Sequence, residues 1–373
     1  MKKIVCFAIA FCLLCVSLNV GAVSTSAKAA ILINADTGEV IFGQNASQRL
    51  PMASTTKIMT ALLLCEKGEM EKEITVTAEM VRVEGSSMGL LAGDKVSHKA
   101  LLYGMLLASG NDAANVTAYA LGGTVDGFVK MMNERAEELG LNNTHFETPS
   151  GLDGEEHYTT AEDLAKLASV CLKNPLFAEA ATSKSATLYY GNPPYRRTLT
   201  NHNKLLKTFD GAIGVKTGFT KKAGRCLVSA AMRDGKKVIA VTLNDPNDWA
   251  DHTALLNYGL ETVKITEIKP PQKEYTLPVV GTGEALTVRV EDFAVSSLGE
   301  SGFSCEINLP TFVYAPIKKG ESVGEAVYYK DNTEIGRISL TADRDVEVPV
   351  TKKEFSKSFR ESFKHIFNSI WES

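Results

Sequence analysis

Cysteine is scarce in this chain and too widely spread to form a disulfide scaffold. Three of the seven cysteines lie within the first fifteen residues, and the other four are Cys65, Cys171, Cys226 and Cys305. More than 50 residues separate each of these four from the next. Domains that depend on disulfides carry cysteines at close, paired spacings. We therefore expect four buried free thiols.

An excess of basic residues is also absent. The 373 residues include 40 Lys and Arg against 44 Asp and Glu, a formal net charge of −4. Proteins that bind nucleic acid rely on concentrated positive charge to displace counterions from phosphates. The six histidines show no paired spacing of the HExxH kind, which helical zinc sites use. We expect no nucleic-acid partner, no metal and no cofactor.

The apolar run at the N-terminus is too short to span a bilayer, which takes about 20 residues in a helix. This run, Ile4–Val16, follows Lys2 and Lys3 and precedes small residues up to Ala22. A charged start, a short apolar stretch and small residues at a cleavage site are typical of a secretory signal peptide. We predict that residues 1–22 form such a signal and that the protein is exported.

Residues 23–268 are predicted to form a mixed α/β (α+β) domain. Short strands at Ala30–Asn34 and Glu39–Gly43 flank a turn, as in a hairpin. Apolar residues at helical spacing predict a helix from Ser54 to Gly68. Further predicted helices are His98–Ala108, Asp112–Leu121, Asp126–Leu139, Thr160–Leu172 and Asp251–Leu260, and further strands are Cys226–Met232 and Lys237–Leu243.

The sequence pattern changes after Glu267. A Pro-Pro pair at 270–271 indicates a linker, and alternating or β-branched runs separated by turns follow it. These runs are Leu286–Val290, Cys305–Ala315, Glu325–Tyr329 and Glu334–Leu340. Such alternation is typical of strands with one buried face. We predict a small all-β sandwich domain over residues 269–350.

Ser54 and Lys57 are the first candidate catalytic residues. Residues three apart share a face of a helix, so the lysine amine can lie against the serine hydroxyl. A serine attacks efficiently only when a neighbouring base takes its proton, and a desolvated lysine can be that base. A serine at a helix start also places backbone N–H groups near an anion forming on the attacked carbonyl. On its own, this pattern more often reflects a capping serine and a solvated lysine.

Two more polar triplets follow along the chain. Ser109-x-Asn111 comes directly after an apolar helix, where Ser109 can relay protons and Asn111 can donate to a substrate amide. In the second triplet, Lys216 supplies positive charge, Thr217 a hydroxyl for a carboxylate, and Gly218 room for substrate beside the strand. Each triplet alone is common, as a helix junction or an edge strand with a turn. On an exported chain, the ordered set of three motifs favours a catalytic site.

The three motifs resemble those of the penicillin-recognising serine acyltransferases. Their surroundings are similar to the low-molecular-weight penicillin-binding proteins, the D-alanyl-D-alanine carboxypeptidases of bacterial cell walls. The similar stretches are Pro51–Thr60, Ala108–Ala114, Glu138–Leu141, Ser150–Asp153 and His157–Ala161. The resemblance covers residues 25–350. It implies a transpeptidase/β-lactamase-like domain, with an antiparallel sheet flanked by helices, followed by the β-sandwich domain.

The resemblance also implies a reaction. Ser54, assisted by Lys57, would attack the carbonyl between the two D-alanines of a peptidoglycan stem pentapeptide. The terminal D-alanine would leave, and water would hydrolyse the acyl-enzyme. The backbone N–H groups of Ser54 and Phe219 would form the oxyanion hole, and β-lactams would acylate Ser54 as covalent inhibitors. The expected catalytic residues are Ser54, Lys57, Ser109, Asn111 and Lys216, and the expected substrate-binding residues are Lys216, Thr217, Gly218 and Phe219.

The chain departs from the family pattern at the last helix of the first domain. Members of the family often carry an arginine before this helix, where it helps to hold the substrate carboxylate. The corresponding region here, Asn247–His252, contains no arginine. Thr217 and Lys216 are the remaining candidates for this task.

Two other functions are compatible with the motifs. Glu138–Asn142 fits the ExxLN pattern of class A serine β-lactamases, whose glutamate activates the deacylating water. Because Glu138 ends an amphipathic helix and the following residues fit the carboxypeptidase pattern, we expect the penicilloyl-enzyme to persist. The other alternative is a non-catalytic cell-wall-binding protein, against which the three intact motifs argue.

The C-terminal segment, residues 351–373, combines aromatic and basic residues. Its large apolar residues recur at spacings of three and four, namely Phe355, Phe359, Phe363, Ile366, Phe367, Ile370 and Trp371. An amphipathic helix with basic and aromatic faces lies in a membrane interface and is attracted by anionic lipid. We predict such an anchoring helix, with a helix docked on the β domain as the alternative. The resemblance implies the same place, the outer face of the cytoplasmic membrane.

Overall fold

The computed structural model describes residues 23–348, which form two compact units. The first unit contains the chain up to Ile33, Val40–Ala231 and Ile239–Gly259. The second unit contains Asn34–Glu39, Met232–Val238 and the chain from Leu260 onward. The predicted signal peptide and C-terminal anchor lie outside the described residues, and the domain limits at 268 and 350 stay predictions. Within residues 23–348, no helix is both long and apolar enough to cross a membrane.

Residues 23–243 contain nine strands, and five of them form the main sheet, in the order β2-β1-β9-β8-β7. They are β1 (Ala29–Asn34), β2 (Val40–Gln44), β3 (Glu73–Thr75), β4 (Lys95–Ser97), β5 (Ser185–Gly191), β6 (Pro194–Thr200), β7 (Ala212–Thr220), β8 (Gly224–Arg233) and β9 (Lys236–Leu243). Strands β1 and β2 pair antiparallel, as do β7 and β8. The predicted mixed fold with an antiparallel sheet and helices is confirmed.

The helices begin where polar side chains satisfy the free N–H groups of their first turns. Ser97, Thr124 and Thr160 each accept such a bond. The helices are α1 (Lys57–Lys67), α2 (His98–Leu106), α3 (Asn111–Gly122), α4 (Val125–Glu138), α5 (Ala161–Lys173), α6 (Pro175–Thr182), α7 (Leu205–Thr208) and α8 (Asp248–Thr262). The predicted apolar face of α1 is fully or almost fully buried, with Ile58, Ala61, Leu62 and Cys65 inside.

The local structure differs from the sequence prediction in several places, and the short elements β3, β4 and α7 were not predicted. The helix predicted from Ser54 begins as a 3₁₀ turn, Ala53–Thr56, and becomes α-helical only at Lys57. The segment 174–200 was not predicted, yet it holds α6 and the hairpin of β5 and β6, which pairs with β4 and β3 in a four-stranded sheet. Much of this hairpin is exposed, so its sequence carries little of the apolar alternation that marks a strand.

Between the end of α8 and residue 348, the second unit is all-β, as predicted. Its strands are β10 (Lys264–Ile268), β11 (Glu274–Val280), β12 (Glu284–Arg289), β13 (Phe293–Ser297), β14 (Phe303–Asn308), β15 (Val313–Tyr314), β16 (Ser322–Lys330) and β17 (Thr333–Thr341). They form three small sheets, β10-β13, β12-β11-β15 and β14-β16-β17. A shared apolar core includes Leu286, Val288 and Tyr328, whose ring stacks on Phe293 at 4.4 Å between centroids.

The four cysteines in the described part of the chain are free thiols, as expected. Three of them, Cys65, Cys171 and Cys226, are buried. The prediction of a fourth buried thiol is wrong, because Cys305 is only half-buried. It lies on β14, an outer strand of its three-stranded sheet, where side chains are covered less completely.

Candidate active site

Ser54 lies in the tight 3₁₀ turn that leads into α1. The turn is held by two hydroxyls: Thr55 Oγ1 donates to the carbonyl of Met52 at 2.6 Å, and Thr56 Oγ1 donates to that of Ala53 at 2.8 Å. Ala53 has a φ of 48°, in the left-handed region that non-glycine residues seldom occupy. Such strain is held only where the surroundings determine the backbone. Ser54 itself is half-buried and faces a pocket.

Lys57 begins α1 and has no exposed surface. Its Nζ donates to Ser54 Oγ at 3.0 Å, to Asn111 Oδ1 at 2.6 Å and to the carbonyl of Ser150 at 2.6 Å. Burial, and then the positive charge of Lys216, hold the pKa of Lys57 well below the usual lysine value. A lysine in this state can accept a proton from Ser54.

A second serine–lysine pair comes from distant parts of the chain. Lys216, on β7, is buried and donates from Nζ to Ser109 Oγ at 3.0 Å and to the carbonyl of Thr217 at 2.6 Å. Burial lowers the pKa of Lys216 to about 7. Ser109 has a φ of 57°, so the chain turns sharply between α2 and α3 and directs this hydroxyl to the lysine.

Asn111 opens α3 and connects three parts of the site. Its Oδ1 accepts from Lys57, while its Nδ2 donates to the carbonyl of Glu84 at 2.6 Å. The next residue, Asp112, accepts from the hydroxyl of Ser87 at 2.6 Å and from three backbone N–H groups between Met88 and Leu90. The start of α3 therefore holds the loop that carries Ser86, which lines the pocket.

Strand β7 passes close beside the backbone of Ser54. A Cβ placed on Gly218 would lie 3.0 Å from the backbone nitrogen of Ser54 and 3.1 Å from that of Thr55. Real Cβ atoms rarely come so near, so any other residue here would force this backbone to move by a few tenths of an ångström. Thr217 and Phe219 flank it and line the pocket, and 66% of Phe219 is exposed.

A hydrogen-bonded chain behind the turn was missed by sequence reasoning. The N–H of Glu147 donates to His157 Nδ1 at 2.9 Å, so the neutral ring carries its proton on Nε2. This Nε2–H donates to Thr56 Oγ1 at 2.8 Å, and Thr56 donates to the carbonyl of Ala53. Burial, followed by the charges of His145 and Lys222, lowers the pKa of His157 to about 4. The chain thus holds the strained residue that precedes Ser54.

The pocket beside Ser54 has a volume of ≈ 300 Å³. Five of the eight predicted site residues line it: Ser54, Ser109, Thr217, Gly218 and Phe219. The other three, Lys57, Asn111 and Lys216, are buried and bonded to one another or to the two serines. The structure therefore brings all eight together. Five lining residues were not predicted: Ser86, His202, Arg225, Asp248 and Trp249.

Glu138, the residue behind the β-lactamase alternative, lies elsewhere. It ends α4 with 63% of its side chain exposed and forms an ion pair with Arg135 at 2.8 Å. It is not among the residues that line the pocket. The structure therefore does not place this glutamate in the pocket that holds Ser54.

Two serine hydroxyls, each beside a buried lysine and both facing one pocket, suit nucleophilic acyl transfer. One pair can supply the attacking oxygen and the base that deprotonates it. The other can return a proton to the leaving group. The backbone nitrogen of Ser54 lies beside strand β7 at the edge of this site.

Comparison with known proteins agrees with this geometry. The family described as D-alanyl-D-alanine carboxypeptidase matches residues 17–247, and the C-terminal domain of penicillin-binding protein 5 matches residues 291–348. The chain is 33% identical to the D-alanyl-D-alanine carboxypeptidase DacF of Bacillus subtilis over 345 residues, which is 86% of each protein. It is 31% identical to DacC of Escherichia coli over 354 residues, 88% of this chain and 86% of that one.

Solved structures of the same kind are similar. The D-alanyl-D-alanine carboxypeptidase DacD from Francisella tularensis matches 87% of this chain and 95% of its own, with a TM-score of 0.62 and 29% identity. The Streptomyces K15 DD-transpeptidase matches 64% of this chain and 98% of its own, with a TM-score of 0.61 and 35% identity. This chain belongs to the D-alanyl-D-alanine carboxypeptidase family, serine hydrolases of peptidoglycan that β-lactams acylate.

Proposed function

We propose that Ser54 is the nucleophile that forms the acyl-enzyme and that Lys57 is the base that deprotonates it. The observation that carries this proposal is the 3.0 Å contact between Lys57 Nζ and Ser54 Oγ, made by a lysine with no exposed surface. A buried ammonium is costly, so Lys57 holds its proton weakly and can take one from the serine.

The reaction then proceeds in two halves. Ser54 Oγ bonds to the carbonyl carbon of the penultimate D-alanine while its proton moves to Lys57. The C–N bond breaks, and the terminal D-alanine leaves after its nitrogen receives a proton through Ser109. Water adds to the acyl-enzyme and passes a proton through Ser109 to Lys216, while Lys57 returns its proton to Ser54 Oγ as that oxygen leaves. The stem peptide is released one residue shorter.

The remaining predicted residues assist this chemistry. Lys216, 3.0 Å from Ser109, is suited to supply the relayed proton, and Asn111 orients Lys57 through its 2.6 Å bond. Thr217 offers a hydroxyl to the substrate carboxylate. The backbone N–H groups of Ser54 and Phe219 are the proposed oxyanion hole, supported by the approach of Gly218 to Ser54.

The place in the cell where the enzyme acts is inferred from its substrate and from its two terminal segments. The family acts on peptidoglycan, outside the cytoplasm. We propose export through residues 1–22 and attachment to the outer face of the cytoplasmic membrane through residues 351–373. Truncation after Val350 is expected to release the enzyme from membranes with its D-alanine release intact. An enzyme that stays with membranes after truncation, or unfolds, would contradict the anchor.

The central test follows release of D-alanine from a stem pentapeptide and labelling by fluorescent penicillin. The wild type is expected to release D-alanine and to keep its label, while Ser54→Ala does neither. Ser185→Ala, an exposed serine on β5, is the matched control and should behave as wild type. Rapid turnover of penicillin would indicate a β-lactamase, and a wild type without label or release would indicate a non-catalytic protein.

A further inference from the structure

The substrate of this reaction ends in a carboxylate, and the pocket must compensate that charge. The leaving D-alanine carries the carboxylate next to the scissile bond, so binding brings it close to Ser54. Moving an ionised carboxylate out of water is costly unless a charged or strong hydrogen-bond donor receives it. The start of α8 contains no arginine to serve as this donor.

Arg225, on β8, lies at the required place. It lines the same pocket as Ser54 and Thr217 and is the one lysine or arginine among the residues that line it. In the pairing of β7 with β8, Phe219 stands opposite Arg225 and Thr217 opposite Leu227. Arg225 is therefore diagonal to Thr217 on one face of the sheet, a distance that a long side chain can bridge.

Two neighbours hold the guanidinium of Arg225. A terminal nitrogen forms an ion pair with Asp248 Oδ1 at 2.9 Å, and only 5% of the Asp248 side chain is exposed. The indole of Trp249 lies 5.8 Å from the guanidinium carbon. In contrast, 43% of the Arg225 side chain is exposed. A guanidinium carries five N–H donors, so it can bind a second carboxylate while paired with the first.

The two lysines of the site are poorly suited to this task. Lys57 and Lys216 lie beneath the pocket surface, each almost fully buried. Each is already bonded to a serine hydroxyl and a backbone carbonyl. Arg225 is the accessible, permanently charged donor.

We propose that Arg225 binds the terminal carboxylate of the D-alanyl-D-alanine peptide, positioned by Asp248 and Trp249, and makes the enzyme selective for peptides with a free C-terminus. The inference rests on the proposed function. The carboxylate-binding arginine of this chain is thus on β8 and not before α8. Asp248, at the start of α8, is the counter-ion of this arginine.

The test compares two substrates, diacetyl-L-Lys-D-Ala-D-Ala and its C-terminal amide. The wild type is expected to favour the free acid by about 10- to 100-fold in kcat/KM, the range for a hydrogen bond to a charged group. In Arg225→Gln this preference should fall to near one, through loss of activity on the acid alone. Lys221→Gln removes an exposed charge from the same hairpin turn and should keep the preference.

A second variant separates binding from folding. Arg225→Gln leaves the buried Asp248 without its cation, which can destabilise α8. The double variant Arg225→Gln/Asp248→Asn replaces the ion pair by two amides and is expected to melt near the wild-type temperature. It should still lack the preference for the acid. A double variant that folds and retains the preference would overturn the inference, as would an equal loss on acid and amide in Arg225→Gln.

A β-lactam comparison keeps this inference distinct from the proposed function. Benzylpenicillin also carries a carboxylate, and its methyl ester does not. The wild type should be acylated faster by the acid, and Arg225→Gln should acylate at similar rates with both. If the wild type releases no D-alanine, the proposed function fails while this comparison still tests Arg225. If D-alanine is released but the acid preference survives in Arg225→Gln, the inference alone fails.

Discussion

Both units have an apolar core, but they differ in the polar and charged side chains that they bury. Behind the pocket, the first unit buries lysine, histidine, asparagine and aspartate, with Lys57 and Lys216 at its centre. The second unit, in its described part, buries one charged residue, Lys330, beside an apolar core that includes Leu286 and Val288. Buried polar groups cost stability unless each finds a partner. The first unit thus carries the chemistry, and the second unit is built mainly for stability.

The buried lysines of the two units show the difference most directly. Lys330 has a carboxylate partner, Glu39, at 3.5 Å, and it also lies over the ring of Phe303. The hydrogen-bond partners of Lys216 are the neutral hydroxyl of Ser109 and a backbone carbonyl. A buried ammonium paired only with neutral groups gives up its proton readily. A lysine with a counter-ion is structural, and one without it is prepared for proton transfer.

The largest expected effect is on acylation. Replacing Lys57 by Ala removes the proposed base and should slow labelling by fluorescent penicillin about 10²- to 10⁴-fold. The fold should survive, because the variant also removes a buried charge. If a folded Lys57→Ala protein is labelled at the wild-type rate, Lys57 is not the base in acylation. The buried polar groups of the first unit would then not be explained by this reaction.

The core of the second unit should respond in the opposite way. Leu286→Ala, at a fully buried position, should lower the free energy of unfolding by about 2–5 kcal/mol. Urea unfolding would measure this, and the variant should keep wild-type kcat for D-alanine release while folded. Ile338→Thr changes a partly exposed residue of the same unit and should cost much less. A loss of kcat in folded Leu286→Ala would break the division between the units.

Lys216→Met should raise stability while abolishing turnover. The folded-state pKa of Lys216 is about 7 against 10.5 for an ordinary lysine. Between these values the unfolded chain binds the extra proton, so wild-type stability rises with pH across this window. The advantage of Lys216→Met should therefore be largest below pH 7, on the order of a few kcal/mol, and should shrink toward pH 10. A variant less stable than wild type at pH 6 would contradict this.

His157→Gln should change the response of the first unit to acid. The folded-state pKa of His157 is about 4 against 6.5, so wild-type stability falls as pH drops from 6.5 toward 4. Glutamine can accept from Glu147 and donate to Thr56 without titrating. The free energy of unfolding of His157→Gln, measured by urea unfolding, should therefore fall by about 1–3 kcal/mol less than that of the wild type over this range. The same acid sensitivity in both proteins would show that His157 does not bind the excess proton.

The sequence by itself determined the features that depend on residues close together in the chain. Helix α1 and the strands β12, β14, β16 and β17 of the second unit follow from their apolar periodicity, because one buried face forces a regular spacing on the chain. Ser54 and Lys57 could be paired from sequence since three residues of helix or 3₁₀ turn bring their side chains together. The hairpin of β5 and β6 was not predicted from the sequence. Most of its side chains are exposed, and exposed positions of a strand accept many residue types, so no clear apolar alternation results.

The tertiary structure alone decided which residues from distant parts of the chain come into contact at the site. Ser109 and Lys216 are 107 residues apart, and their contact exists only because β7 passes the junction of α2 and α3. His157 supports Thr56 across 101 residues, and Arg225 meets Asp248 through the packing of α8 beside β8. No local pattern marks such residues, because an exposed arginine or a loop histidine is common in any sequence. Only the fold, by removing water and adding partners, made them part of a site.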